Sequence, residues 1–191
     1  LTSVDRDDLP DGGAQHFARC IKAIKQTHAP TMVEVLTGDF AGDEKALKRI
    51  IDAEPEVFAH NIETVRRLTP VIRDRRATYD RSLSVLKNAK MLNPQQITKS
   101  AMMVGLGETQ EEVVQAMKDL RAVHCDLLTI GQYLRPKTSR LEVVEYVDPE
   151  QFNRYRRLGE ELGFKYVAAG PFVRSSYRAG EFFVKNVLMR K

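Results

Sequence analysis

Ile97-Thr98-Lys99-Ser100-Ala101-Met102-Met103-Val104, then Gly105-Leu106-Gly107-Glu108-Thr109, then Gln110 to Val123, is the stretch that decides the fold. Its first eight residues end in a β-branched, apolar run that reads as a buried strand. The two glycines mark a tight turn. Thr109 and Glu112 have the spacing of a capping box, in which a hydroxyl and a carboxylate satisfy the free amides at a helix start. Val113, Met117, Leu120 and Val123 then recur at three- and four-residue intervals, as one buried face of a helix requires. The stretch is a β-turn-α unit.

Working outward, the same unit repeats. Strand candidates are Met32 to Leu36, Val57 to Ala59, Leu127 to Ile130 and Tyr166 to Ala168. Helix candidates are Ala14 to Lys25, Glu44 to Asp52, Tyr79 to Lys90 and Pro149 to Leu162, the last opened by Asp148-Pro149 and stopped by Gly163. Alternation of this kind predicts an α/β fold with a parallel sheet. A closed barrel and an open doubly wound sheet both fit it, and both put functional loops at the carboxyl ends of the strands.

Composition narrows the function. The chain has 191 residues, 42% hydrophobic and 29% charged, enough for one sizeable core in a single domain. No apolar run reaches the roughly 18 residues a membrane helix needs, so no membrane partner is expected. The net charge is +4, but 26 acidic residues are interleaved with the basic ones, which argues against a nucleic-acid stripe. The densest basic group, Arg73-Asp74-Arg75-Arg76, reads as a solvated loop or an anion site. Cys20 and Cys125, the only cysteines, have neither zinc nor disulfide spacing. Leu1 to Val4 is apolar and β-branched and reads as a strand cut near its end, so further chain is expected upstream of Leu1.

Three segments carry candidate chemistry. The Gly105 to Thr109 turn lets backbone approach a ligand or serves as a tight connection, and Gln110 where a third glycine would stand excludes the dinucleotide fingerprint. In His60-Asn61-Ile62-Glu63-Thr64, strand alternation would put Asn61 and Glu63 on one side, an amide and a carboxylate suited to the vicinal hydroxyls of a ribose. A helix cap at Asn61 is the alternative, and His60 reads as a hydrogen-bonded structural histidine. Gly170-Pro171-Phe172-Val173-Arg174-Ser175-Ser176-Tyr177 holds two hydroxyls beside arginines, as an anion site, a lid or a polar loop before a terminal helix.

These segments, with Thr2-Ser3-Val4-Asp5-Arg6-Asp7-Asp8-Leu9-Pro10-Asp11-Gly12-Gly13-Ala14, Thr98-Lys99-Ser100 and Gly131-Gln132-Tyr133-Leu134, resemble the lipoyl synthases, a family of radical S-adenosylmethionine (SAM) enzymes. The Arg174-Ser175-Ser176-Tyr177 run argues against the biotin synthase type, which shares the Gly-Leu-Gly-Glu-Thr turn. The resemblance implies a partial TIM-type (β/α) barrel with its first strand or strands missing, one domain over 1–191, its 170–191 segment ending in a helix. It implies insertion of two sulfur atoms at carbons 6 and 8 of a protein-bound octanoyl-lysine, through hydrogen abstraction by a deoxyadenosyl radical. Cofactors would be SAM and two [4Fe-4S] clusters.

By the same resemblance, Asn61 and Glu63 would contact the SAM ribose, and Gly105, Gly107 and Glu108 the adenosine side. Gln132 and Tyr133 would lie beside adenine. Ser175 would be a metal ligand, the hydroxyl on the auxiliary cluster. Arg174 flanks it, and Lys99 is expected from its charge to meet the SAM carboxylate or the substrate. Partners would be octanoylated lipoyl-carrier proteins, namely lipoyl domains and the glycine cleavage H protein, and an electron donor. The location would be cytoplasmic in a bacterium or the mitochondrial matrix in a eukaryote. Two departures stand out. Gly38-Asp39-Phe40-Ala41-Gly42 replaces the family's usual Pro-Asp-Phe-Arg-Gly, and the family's usual His near Ser139-Arg140 is missing. The family's two three-cysteine motifs would lie upstream of Leu1. An inert barrel piece that only binds adenosyl ligands is the competing reading.

Overall fold

The computed structural model describes residues 1–137 and 141–175; Ser139, Arg140, Ser176, Tyr177 and the expected terminal helix lie outside them. Five parallel strands follow one another in space in chain order: β1 (Glu34–Leu36), β2 (Val57–Ala59), β3 (Ile97–Val104), β4 (Leu127–Gln132) and β5 (Tyr166–Gly170). A doubly wound sheet reverses its strand order at a switch point. No reversal occurs among the described strands, so the sheet is that of a partial TIM-type barrel. The helices are α1 (Ala14–Thr27), α2 (Glu44–Ile51), α3 (Thr69–Ile72), α4 (Tyr79–Leu92), α5 (Gln110–Ala122) and α6 (Pro149–Glu161).

The capping box read from the sequence is present, with the Thr109 hydroxyl accepting from Glu112 N–H and the Glu112 carboxylate from Thr109 N–H at 2.8 Å. Three differences have local causes. β1 begins at Glu34 and not Met32, because the Val33 N–H is taken by the Glu56 carboxylate at 2.6 Å. β4 runs on through Gly131 and Gln132, held by pairing with Met103 and Val104. The short helix α3 and a 3₁₀ turn at Phe40–Gly42 were not anticipated, the latter with Phe40 and Ala41 in the left-handed region. As expected for a strand end, Leu1 and Thr2 lie along β1: Leu36 N–H donates to Leu1 O at 2.9 Å, and Thr2 bridges Leu36 in parallel.

Alternation along the strands divides the buried residues between two faces. Val35, Phe58, Met102, Leu128, Ile130 and Val167 pack under the helices with Ile21, Ile50, Leu86, Met117 and Phe152. Each fully buried side chain of this size contributes about 1.5–3 kcal/mol. Val57, Ile97 and Leu127, with Tyr166, form a separate apolar layer at the amino-terminal ends of β2 to β5 on the opposite face. Next along that face comes Lys99, two residues beyond Ile97. No described helix is long and apolar enough to cross a membrane.

Candidate functional site

A cleft of ≈ 830 Å³ opens beyond the carboxyl ends of β1 and β2, with Thr37, Asp39, His60, Asn61, Glu63 and Arg73 among its walls. Asn61 and Glu63 come together there: the Asn61 amide donates to Glu63 Oε1 at 3.1 Å. They do so without a continuous strand. Glu63 takes φ +64°, and its backbone is fastened to β3 by Glu63 N–H to Ala101 O at 3.1 Å and Met103 N–H to Glu63 O at 2.9 Å. A non-glycine residue held in the left-handed region costs roughly 1–3 kcal/mol and is found where a site over-determines it. No helix starts at Asn61, so the cap alternative falls. Burial pushes the Glu63 carboxyl above the usual carboxylate range, opposed by the Asn61 hydrogen bond and by the charge of Arg73. The Thr37 hydroxyl on the same wall is buried without a partner. Pattern reading missed Thr37; its position just past a strand end was the available signal.

His60, beside this pair, is structural. His60 Nδ1 faces the Thr37 carbonyl at 3.0 Å and so carries the proton, which on a neutral ring leaves Nε2 to accept at 2.9 Å from the Ser82 hydroxyl, itself accepting from Arg73 at 2.8 Å. Burial holds the imidazole below its ordinary value. The ring is therefore neutral, with its proton on Nδ1.

The Gly105 to Thr109 turn serves the protein's own packing. Glu108 folds back to accept from Gly105 N–H at 2.6 Å and Leu106 N–H at 3.0 Å. A Cβ on Gly105, φ +97°, would collide with the Gln132 amide and the Glu145 carbonyl. Gln132 is buried and spends its side chain on Tyr133 O at 3.0 Å, Glu145 O at 2.9 Å and Val147 N–H at 2.9 Å. Tyr133 donates from its hydroxyl to Leu141 O at 3.1 Å. Gly107, φ +98°, lies against Val144. These five residues form one cluster beside β3 and β4, apart from the residues that line the cleft.

A third group sits deeper, on the sheet face away from the described helices. Lys99 Nζ, only 3% exposed, donates to Glu34 Oε1 at 2.7 Å and to Ser175 O at 2.9 Å. Two of its three N–H bonds are thus committed within the chain, to partners the sequence reading did not name. Arg174 donates to Val173 O at 2.7 Å and more weakly to Gln132 O at 3.4 Å. Glu34 was the unread residue, a carboxylate in a strand whose alternation points it away from the helices.

The thiols do not fit a cluster by themselves. Cys125 is buried, hydrogen-bonded to Leu127 O at 3.4 Å, and desolvation pushes it up to about 12. Cys20 contacts His16 on α1 at 3.6 Å. Among the described residues no three His, Cys, Asp or Glu side chains form a metal site. The amide, carboxylate and orphaned hydroxyl on the cleft wall are groups that would suit the vicinal hydroxyls of a ribose.

The radical SAM superfamily model matches residues 1–120. The chain belongs to the radical SAM superfamily. Its fold is similar to the crystal structure of methylornithine synthase, with a TM-score of 0.59 over 92% of this chain and 62% of that one at 12% identity. In sequence it is 58% identical over 185 residues to the lipoyl synthase of Thermus thermophilus, covering 97% of this chain and 57% of that protein. It is 58% identical over 191 residues to chloroplastic lipoyl synthase 2 of Oryza sativa subsp. indica, covering 100% and 50%. Against the lipoyl synthase of Ectopseudomonas mendocina it is 56% identical over 188 residues, covering 98% and 54%. The resemblance read from the motifs holds along nearly the whole chain. The chain spans about half the length of these curated relatives.

Proposed function

We propose that the protein works as a lipoyl synthase, inserting two sulfur atoms into a protein-bound octanoyl chain, with octanoylated lipoyl-carrier proteins as substrates and an external electron donor. The observation that carries this reading is the Asn61–Glu63 pair, locked in a strained turn on the wall of the cleft. The carboxylate accepts from ribose hydroxyls, and the Asn61 amide both fixes that carboxylate and offers its own oxygen. His60, Ser82 and Arg73 hold the cleft wall in register. The apolar and paired residues of the strands keep water away from the face on which Lys99 lies. When bound and reduced, SAM supplies a radical able to take hydrogen from an unactivated alkyl carbon. Ser175 is the oxygen the chain offers an auxiliary cluster. Its oxygen would be a harder and poorer partner for such a cluster than a thiolate.

Calorimetric titration with SAM tests the reading. Asn61→Ala and Glu63→Gln each remove a hydrogen bond to a ribose hydroxyl, worth about 1–3 kcal/mol where a charged acceptor is lost. Affinity is expected to fall roughly fivefold to a hundredfold. Unchanged affinity in both variants would return the pair to a purely structural role.

A further inference from the structure

Beyond β5 the backbone is pinned at successive points. Val173 N–H closes a turn on Gly170 O at 3.1 Å. The Val173 carbonyl lies so close to Gly131 of β4 that a Cβ there would overlap it. Arg174 ties to Val173 O and Gln132 O. The Ser175 carbonyl ends on Lys99 Nζ at 2.9 Å, whose ammonium is balanced by Glu34 at 2.7 Å. The contact is to the backbone, so it fixes where residue 175 sits while leaving its side chain available.

Stability gives little reason for a lysine here. The Lys99 side chain is 4% exposed, and a buried ion pair is often no more stabilising than an apolar pair of the same volume. What an ammonium adds is a donor aimed at one carbonyl. Ala, Leu or Met at 99 would leave the Ser175 carbonyl without that bond, and the Glu34 carboxylate without its cation.

We propose that Lys99 is a positioning residue, which with Glu34 and Gly131 seats the 173–175 backbone and thereby sets the place of the Ser175 hydroxyl. The proposal rests on the reading of Ser175 given above, and two measurements keep the two apart. The first is amide hydrogen exchange. In Lys99→Met, exchange of peptides covering 171–175 should rise at least tenfold, with the β3 and α5 amides unchanged, while Lys99→Arg should restore most of the protection. Exchange within twofold of the parent at 171–175 overturns the seat. If Lys99→Met also loosens β3, Lys99→Gln decides by the same criterion, since it keeps a polar side chain in the strand but is too short to carry a donor to the Ser175 carbonyl.

The second is the electron paramagnetic signature of the auxiliary cluster in the cluster-loaded enzyme. Ser175→Ala should alter it, and Lys99→Met should move it the same way. An altered signature in Ser175→Ala with none in Lys99→Met overturns the positioning role alone. No change in Ser175→Ala overturns the ligand reading, and hydrogen exchange then still judges the seat.

Discussion

Gly105→Ala puts a methyl group where the structure has no room for one. Two costs add. Holding alanine at φ +97° strains the backbone by roughly 1–2 kcal/mol. The new Cβ would also displace the Gln132 amide from Tyr133 O and Glu145 O, and a buried amide left short of partners costs about 1–3 kcal/mol. The sum is about 2–5 kcal/mol, which for a chain of this size lowers Tm by roughly 4–20 °C. Gly107→Ala is the internal control. Its φ of +98° carries the same strain, but its Cβ meets only Val144 methyls at 3.7 Å. It should cost about 1–2 kcal/mol and roughly 2–8 °C. Thermal unfolding followed by far-ultraviolet circular dichroism compares the two. Equal shifts, or a Gly105→Ala shift under about 2 °C, would refute the argument that Gly105 exists for contact with Gln132 and Glu145. Loss of SAM affinity without loss of stability would put a ligand there instead.

The remaining expectations concern pH. His60 is held below its ordinary value of 6.5, so both states are neutral above that pH; as pH falls below it the unfolded chain takes a proton the folded one refuses, and stability drops. Urea midpoints at about pH 7.5 and about pH 5.5 should differ more for the parent than for His60→Gln, and equal differences would remove His60 as the cause. Glu63 is raised above its ordinary 4.5, so its carboxylate is lost as an acceptor at a higher pH than a free carboxyl would be. SAM affinity should weaken as pH falls toward that range and should become flat in Glu63→Gln; a parallel slope in the variant would assign the effect elsewhere.

The fold was legible because its signals were local. Val57 to Ala59 and Ile97 to Val104 are bounded as the sequence predicts, and the Thr109–Glu112 box marks the start of α5 to the residue. The site was legible in part. Asn61 and Glu63 do come together, but through a left-handed turn at Glu63 and not through strand alternation. No propensity scale finds a strained glutamate. Lys99 lies on a strand as read, and its partners within the chain went unread, because Glu34 lies 65 positions away and Ser175 lies 76. The Gln132 amide bonds Tyr133 O, Glu145 O and Val147 N–H, the last two partners 13 and 15 positions away, a range no local pattern specifies. Contacts of that range are set by which strands become neighbours, and the sequence states this only through the fold.

Among the described residues, the apolar layer of Val57, Ile97, Leu127 and Tyr166 blocks the amino-terminal end of the sheet face that carries Lys99. With that end blocked, a ligand on this face would arrive and depart past the carboxyl ends of the strands. One door imposes a queue: the molecule that lies deepest is first in and last out, and anything seated above it delays its release. Turnover in such a vessel is paced by the outermost occupant, so tightening the hold on a large partner at the rim would slow the exchange of a small molecule it never touches.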